Sequence, residues 1–251
     1  MVLPSDRLNR QALMALCIIV FLLTLILTRS RAGIVSGMVG FLVFFTLARP
    51  AMQARTGQVR IMMGGISALL AIYVWTIGIG PVVERFLDIG VDGSSRLGIW
   101  RDSLLIAWDH PLGIGLHNYA DVVEIYNRTG IHEKTIGYAH NDYLQLLIET
   151  GWIGFFSLMG AILVFLVQSA KRIRRLDFRQ EPLRFYLAVG AFSGIVSIGV
   201  HSLFDFNLQI PANCVYFVVL MAILSACTRP GPAIVSQWPT TRSEPMAKPS
   251  F

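Results

Sequence analysis

The sequence predicts an all-α membrane protein: a polytopic helix bundle of about six transmembrane helices with one large, partly helical outer loop. Of its 251 residues, 54% are hydrophobic and only 14% are charged, whereas soluble domains carry about 25% charged residues. The mean hydropathy is +0.60. Its apolar runs are continuous and approach the ~20 residues that span ~30 Å of hydrocarbon. Strand-like alternation of polar and apolar residues is not visible, which favours helices.

Six apolar segments are predicted to span the membrane. They lie at about 11–28, 33–48, 61–80, 152–170, 183–204 and 209–227. The second is short for a span, and the helix of the fourth is predicted to begin near Asn141.

The spans divide the chain into four predicted regions. These are three transmembrane helices at 1–80, an outer loop at 81–139, three further transmembrane helices at 140–227, and a tail at 228–251. The tail is rich in Pro, Ser and Thr and is predicted to be disordered and cytoplasmic.

Lysines and arginines set the predicted orientation, because they concentrate in cytoplasmic segments. With the N-terminus inside, the inner segments hold fourteen of the 21 basic residues and the outer segments hold seven. The cluster Lys171–Arg175, after the fourth span, is the strongest single signal. Both termini are therefore predicted to lie inside.

The net charge of +6 does not indicate a nucleic-acid partner, since the basic residues flank apolar spans. The three cysteines, at 17, 214 and 227, lie inside predicted spans, so no disulfide framework is expected. No paired-carboxylate motif and no His/Cys spacing typical of zinc is seen in the sequence. Neither a metal nor another cofactor is predicted.

The outer loop is predicted to contain two helices. Ser94 and Ser95 can cap a helix over 96–109. Apolar residues recur in it at spacings of three and four, and these are Leu97, Trp100, Leu104 and Trp108. The His-Pro step at 110–111 is predicted to end it, and 117–126 is predicted to form a second, short helix. We expect the first helix to lie on the outer membrane surface.

This topology collects polar residues with one kind of chemistry on the outer face. They are Arg29, Arg31, Arg96, Arg101, His140, Asn141, His201 and Asp205. Arginine forks bind phosphate bidentately, and a histidine of ordinary pKa can accept a proton from a hydroxyl near neutral pH. The set therefore suits displacement of a phosphate leaving group by an alcohol, with arginines neutralising charge in place of a metal.

Each of these residues also has a structural interpretation. The arginines can anchor helix ends at lipid headgroups or lie on a solvated face. His140 can be a cap or an interfacial residue, and His201 with Asp205, four residues apart, can form a pair on one helix face. Both interpretations stay open at this point.

Three other kinds of residue, namely a glutamate, two glycines and three histidines, are interpreted structurally. Glu149 is either a headgroup-level surface residue or a buried partner of an outer arginine. Gly151 and Gly154 are interpreted as small residues for tight helix packing. The remaining histidines are a helix stop at 110 and loop-surface residues at 117 and 132.

Two stretches resemble a known family. The run from His140 to Gly154 fits the pattern H-[NSQ]-x9-G-x-x-[GTY] of the O-antigen ligase and O-antigen polymerase superfamily. Upstream, SSRLGIWRDSLLIAWDHPLGIGLHNY resembles its Arg…Trp…His-Pro-x-Gly-x-Gly segment, and Arg101 with Leu105 fits its R-x3-L element. The turn Ser30–Gly33 resembles a Ser-Arg-Gly-type turn between two of its helices. The resemblance covers about residues 28–227.

The resemblance implies transfer of a glycan from an undecaprenyl-diphosphate carrier at the periplasmic face of a bacterial inner membrane, so that the outer loop is periplasmic. The ligases use lipid A–core as acceptor in lipopolysaccharide biosynthesis, and the polymerases extend a polysaccharide. His140 matches the proposed catalytic base, Arg101 or Arg96 the loop arginine that binds diphosphate, and Arg31 an arginine at an outer helix end. Arg29, Asn141, His201 and Asp205 are expected to bind substrate with them. A single displacement predicts a metal-independent, inverting transferase.

The chain also departs from the family, whose members usually have about twelve spans. Six spans resemble a C-terminal half, so a partner that supplies N-terminal helices, or a truncated form, is expected. Besides the ligase, the same motif fits a polymerase or a protein O-oligosaccharyltransferase. Two alternatives of other classes are a lipid-phosphate transporter and an inactive half-protein that serves as a scaffold.

Overall fold

The fold is described from a computed structural model, which covers residues 4–28, 30–53, 57, 92–126 and 137–229. The third predicted span, Arg29, His132 and the tail beyond 229 lie outside these residues. In the described ranges every regular element is a helix, so the predicted all-α class is confirmed.

The described part of the chain contains seven α-helices and one short 3₁₀ turn. They are α1 (Pro4–Leu27), α2 (Arg31–Gln53), α3 (Asp92–Asp109), α4 (Tyr119–Tyr126), α5 (Asp142–Ile173), α6 (Pro182–His201), the 3₁₀ turn Asn207–Gln209, and α7 (Pro211–Thr228). Four of them, α2, α5, α6 and α7, are long and apolar enough to cross a membrane. A shorter apolar segment, Leu16–Leu25, lies within α1.

Two predicted boundaries are wrong. The second span was expected at 33–48, but α2 has 23 residues and continues through Pro50. Proline usually ends a helix, yet α2 goes on because Ala48 and Ala51 are buried in the core shared with α6. Ser94 and Ser95 do not cap α3, since that helix already begins at Asp92.

Helices α2 and α6 pack closely and run antiparallel. The Ser197 hydroxyl donates to the Ser36 carbonyl at 2.9 Å, and a Cβ added to Gly40 would lie 3.0 Å from the Cβ of Ser197. Toward the other end of the pair, Ala48 and Ala188 are both fully buried in one cluster. Small residues allow membrane helices to approach in this way.

Helix α5 exposes most of its apolar surface. Only 6% of its apolar window is buried, and Ile153, Phe156 and Leu163 are all exposed. Such an exposed apolar surface is typical of a membrane helix that contacts lipid.

The described parts of the predicted outer loop, 92–126 and 137–139, pack on the start of α5 and are called the outer unit. Ile106 of α3, Tyr119 and Val123 of α4, and Ile148 of α5 share one buried cluster. The predicted apolar face of α3 is not the one that packs there, since Leu104 and Trp108 are exposed. Location of that face at the membrane surface stays a prediction.

At the end of the bundle away from the start of α5, Arg184 of α6 contacts the end of α7. Its Nε donates to the carbonyl of Cys227 at 2.7 Å, and its Nη1 lies 3.1 Å from Oε1 of Glu181. The guanidinium thus satisfies a carbonyl at the end of α7 that the helix itself leaves without a partner.

Candidate functional site

The site is built around the turn that precedes α5. His140 has φ of 51°, a left-handed conformation that is uncommon for a residue with a side chain. The next residue, Asn141, is the N-cap of α5, and its side-chain oxygen accepts from the Leu144 N–H at 3.1 Å. Asn141 therefore has a structural role as a cap, and its binding of substrate stays a prediction.

The structure brings His140 together with Asp205, which lies in the connection between α6 and α7. Nδ1 of His140 is 3.6 Å from Oδ1 of Asp205, and the two side chains are 34% and 38% exposed. The edge of the His140 ring also contacts Phe206, with the ring centroids 5.2 Å apart. The imidazole therefore lies beside a carboxylate, at slightly more than hydrogen-bond distance, and beside an aromatic ring, and it remains partly exposed.

A second, buried carboxylate joins α5 to the same connection. Asp142 is 5% exposed. Its N–H donates to the Ser202 carbonyl at 2.9 Å, and its Oδ2 accepts from the Leu208 N–H at 2.9 Å. Asp142 was not among the predicted site residues, although an acidic side chain in the first turn of a membrane helix is a usable signal.

At the junction between the start of α5 and the α6–α7 connection, several buried nitrogens have no hydrogen-bond partner in the described part of the structure. They include His140 Nδ1, His201 Nε2 and Asn207 Nδ2. Buried polar groups are normally bonded, so exceptions gathered in one place suggest a functional pocket. His201 and Asp205 thus lie at the junction with His140, whereas their predicted contact with substrate is untested.

Helix α5 is broken where the family pattern has its first glycine. Gly151 has φ of 70° and ψ of 179°, and residues 111–115 supply hydrogen bonds across the break. Ile114 and Gly115 donate to the carbonyls of Ile148 and Glu149, each at 3.0 Å, and Trp152 donates to the Pro111 carbonyl at 3.0 Å. The glycine thus permits tight packing, but against a loop rather than a helix.

Glu149 is buried, at 5% exposure. It accepts a hydrogen bond from Gln145 Nε2 at 3.0 Å. Of the two alternatives, the surface position is therefore wrong, and the described partner of the buried Glu149 is a glutamine rather than an arginine.

The predicted arginines lie at the His140 end of the molecule where the structure describes them. Arg31 begins α2. Because Ser36 contacts Ser197, the start of α2 lies beside the end of α6 that carries His201. Arg101 is exposed on α3 and follows Trp100, whose Nε1 donates to the Ala139 carbonyl at 3.0 Å. Arg96 lies on the same helix.

The histidines interpreted structurally match their positions where these are described. Helix α3 ends at Asp109, directly before His110, and His110 and His117 are both exposed. Within the described residues, no group of three or more His, Cys, Asp or Glu could hold a metal ion.

Comparison with known families gave one match. Residues 16–159 fit the model of a family described as O-antigen ligase, which covers more than half of the chain. The matched segment runs from the middle of α1 to the middle of α5, and so it includes His140 but not Asp205. A comparison with curated proteins gave no match.

Proposed function

The chain belongs to the O-antigen ligase family, and from that premise we propose that it moves a glycan from an undecaprenyl-diphosphate carrier to an acceptor hydroxyl. As a family member with several apolar helices, it is a multi-pass membrane protein of lipid-linked glycan transfer. The observation that carries the proposal is the pairing of His140 with Asp205 at 3.6 Å. This pair stands at the end of the bundle where α2 begins with Arg31.

His140 is the catalytic base of the proposed reaction. With Nδ1 directed at Asp205, a proton on that nitrogen leaves the lone pair of Nε2 free to accept the proton of the acceptor hydroxyl. Asp205 then stabilises the imidazolium that forms, because an opposite charge a few ångströms away favours the charged form.

The acceptor oxygen forms a bond to the anomeric carbon as the bond from that carbon to the diphosphate breaks. The electron pair of the broken bond leaves on the carrier diphosphate, whose charge increases. Arginines suit this leaving group because their planar forks stay charged and bind phosphate oxygens in pairs. Arg101 and Arg31 are the proposed catalytic arginines, with Arg96 and Arg29 as further substrate-binding groups.

A single displacement inverts the anomeric configuration and needs no metal in this scheme. The proposed location is the bacterial inner membrane, with the reaction at the periplasmic face. Lipid A–core is the proposed acceptor, and a growing polysaccharide or a protein hydroxyl would use the same His140 chemistry. Acceptor identity is therefore a separate question from the reaction type.

The test is glycan transfer by the full chain in proteoliposomes that contain lipid-linked donor and one defined acceptor at a time. We expect His140→Ala to lower transfer by about 10²- to 10⁴-fold, the usual contribution of a general base. His140→Ala should still insert, because the ring is half-exposed and contributes little to the buried clusters.

Three outcomes would each contradict a part of the proposal. Wild-type transfer by His140→Ala would reject His140 as the base. Movement of labelled carrier across the bilayer without any acceptor, and with no transfer when acceptor is added, would favour a lipid-phosphate transporter instead. Retention of configuration in the product would contradict the single displacement.

A further inference from the structure

The peptide groups on either side of Ala139, directly before His140, are held by side chains from two different helices. The Ala139 N–H donates to Oε1 of Gln145 on α5 at 3.3 Å. The Ala139 carbonyl accepts from Nε1 of Trp100 on α3 at 3.0 Å. Ala139 itself is fully buried. Few backbone segments outside regular structure have both polar groups fixed by side chains, since most are bonded to backbone or water.

Gln145 is in turn oriented by Glu149. Its Nε2 donates to Oε1 of Glu149 at 3.0 Å, one helical turn further along α5. With the amide nitrogen directed at Glu149, the amide oxygen is the atom left to face Ala139. Gln145 and Glu149 are 2% and 5% exposed, so this network is shielded from water, and hydrogen bonds are stronger in such surroundings.

The residue that follows Ala139 is the one with unusual backbone geometry. His140 has a positive φ of 51°, and such conformations persist only where the surrounding structure over-determines them. On one side, the bonded N-cap Asn141 fixes the chain. On the other side, Trp100 and Gln145 fix Ala139. The direction of the His140 side chain therefore depends on both.

We propose that Trp100, Gln145 and Glu149 are positioning residues for His140: together they set the direction from which its imidazole meets the acceptor hydroxyl. The inference rests on the proposed role of His140 as base. Trp100 has a second consequence, because it precedes Arg101 on α3. The same hydrogen bond to Ala139 therefore fixes the arginine-bearing helix relative to the histidine-bearing turn.

The deciding experiment compares variants that remove single hydrogen bonds with matched variants elsewhere on the same helices. Trp100→Phe removes the indole N–H, and Trp108→Phe is its control, because Trp108 is 78% exposed on α3. Gln145→Leu removes the amide, and Gln168→Leu is its control at an exposed position of α5. Glu149→Gln keeps an oxygen that accepts from Gln145, whereas Glu149→Leu does not.

We expect Trp100→Phe, Gln145→Leu and Glu149→Leu to lower kcat about tenfold or more, with KM for the lipid-linked donor changed less than about twofold. The two controls and Glu149→Gln should stay within about twofold of wild type. In a His140→Ala background, Gln145→Leu should lower kcat by less than about a further twofold, because a positioning residue has no effect once the group it positions is gone. If the role of Gln145 were purely structural, Gln145→Leu would lower kcat by the same factor in both backgrounds.

The outcomes separate this inference from the proposed function. If His140→Ala is inactive while Trp100→Phe and Gln145→Leu keep wild-type kcat, the positioning role is rejected and the base remains. Equal losses from Gln145→Leu in the wild-type and His140→Ala backgrounds also reject it. Full activity of His140→Ala rejects His140 as the base, and with it the premise of the positioning role. If Gln145→Leu does not fold, the pair Trp100→Phe and Trp108→Phe decides alone.

Discussion

At the residue scale, the partner of His140 lies 65 positions away along the chain, at Asp205. A motif that begins at His140 identifies the imidazole but contains no carboxylate partner for it. In the structure, Asp205 also fixes its own loop, since its Oδ1 accepts from the Phe206 N–H at 2.9 Å. The carboxylate thus accepts a hydrogen bond within its own loop and also places a negative charge beside His140. A substitution can remove the charge and keep the hydrogen bond.

We predict that Asp205→Asn lowers transfer by roughly 10- to 100-fold, which corresponds to the ~1.5–3 kcal/mol of an interaction with a charged group. Asparagine keeps an oxygen for the Phe206 N–H but cannot stabilise an imidazolium. The melting temperature in detergent should therefore stay near the wild-type value. Unchanged transfer rates in this variant would show that Asp205 does not assist His140.

A second pair of buried polar atoms tests the packing of the outer unit. Ser103 Oγ and Tyr119 OH are 2.8 Å apart, and both residues are almost fully buried. Tyr119→Phe or Ser103→Ala leaves one hydroxyl without this partner, at a cost of about 1–3 kcal/mol each. The double variant should cost less than the sum of the two, as measured by denaturant unfolding. Additive costs would mean that the bond does not form.

The same tyrosine predicts a dependence on alkaline pH. Burial raises the pKa of Tyr119 to about 12, from an ordinary value of 10.0. Because the folded pKa is the higher one, the stabilisation is complete below pH 10 and is lost as the pH rises toward about 12. Tyr119→Phe should lack this part of the fall in stability, and an identical pH profile in both proteins would contradict the assignment.

The sequence allowed candidate residues to be named, but it did not show which residues they contact. His140 and Asp205 could be named because polar groups at the ends of apolar spans are costly and therefore informative. Asp142 was missed, because its role depends on the Ser202 carbonyl and the Leu208 N–H. Such backbone partners come from the connection between two other helices, and no local spacing predicts them.

At the element scale, the break in α5 explains why two separate glycine motifs occur in one chain. Gly113 and Gly151 face each other: a Cβ on Gly113 would lie 2.6 Å from the Glu149 carbonyl oxygen, and one on Gly151 would lie 2.4 Å from the Leu112 carbonyl carbon. Both glycines also have positive φ, at 88° and 70°. The two motifs thus form one contact between the outer unit and the membrane helix.

We predict that Gly151→Ala and Gly113→Ala each destabilise the protein by about 2–5 kcal/mol, from backbone strain and overpacking. Gly160→Ala, on the same helix, is the matched control, because an added Cβ there meets nothing within 4 Å. That control should leave stability unchanged or raise it by about 0.5–1 kcal/mol. Thermal unfolding followed by intrinsic fluorescence measures all three. Equal melting temperatures would contradict the proposed contact.

The sequence predicted helices α2 and α3 incompletely, because tertiary contacts are not visible in the local sequence. The second predicted span ended at 48, but α2 continues to Gln53, and buried alanines on both sides of Pro50 keep the helix in place. Spacing on α3 predicted one apolar face on the membrane surface. Leu104 and Trp108 of that face are exposed, whereas Ile106 and Ala107 pack inward, so the membrane contact stays a prediction. Periodicity identifies an amphipathic helix but cannot say which neighbour covers which face.

At the scale of the whole molecule, hydropathy was the most reliable signal. Four predicted spans correspond to helices long and apolar enough to cross a membrane, because bilayer thickness imposes a minimum length that sequence shows directly. The grouping of His140, His201 and the start of α2 at one end follows from the alternating direction of successive spans. The contacts among them required the structure.

The orientation of the whole molecule is the last expectation to be tested. Helix α5 is broken at Gly151, and the part after the break, residues 152–173, is roughly 33 Å long at 1.5 Å per residue, which is enough to cross the hydrocarbon core. His140 precedes one end, and the cluster Lys171–Arg175 lies at the other. Because lysine and arginine favour the cytoplasmic side, the His140 end is predicted to be outside.

Single cysteines in a background without the native cysteines at 17, 214 and 227 test this orientation. His117 and Arg175 are both exposed. A membrane-impermeant maleimide added outside intact cells with a permeable outer membrane should label His117→Cys and not Arg175→Cys, and both should react after lysis. The reverse pattern would place the His140 end in the cytoplasm. His140 would then face away from any carrier presented on the periplasmic side, and the proposed reaction would require a cytoplasmic donor.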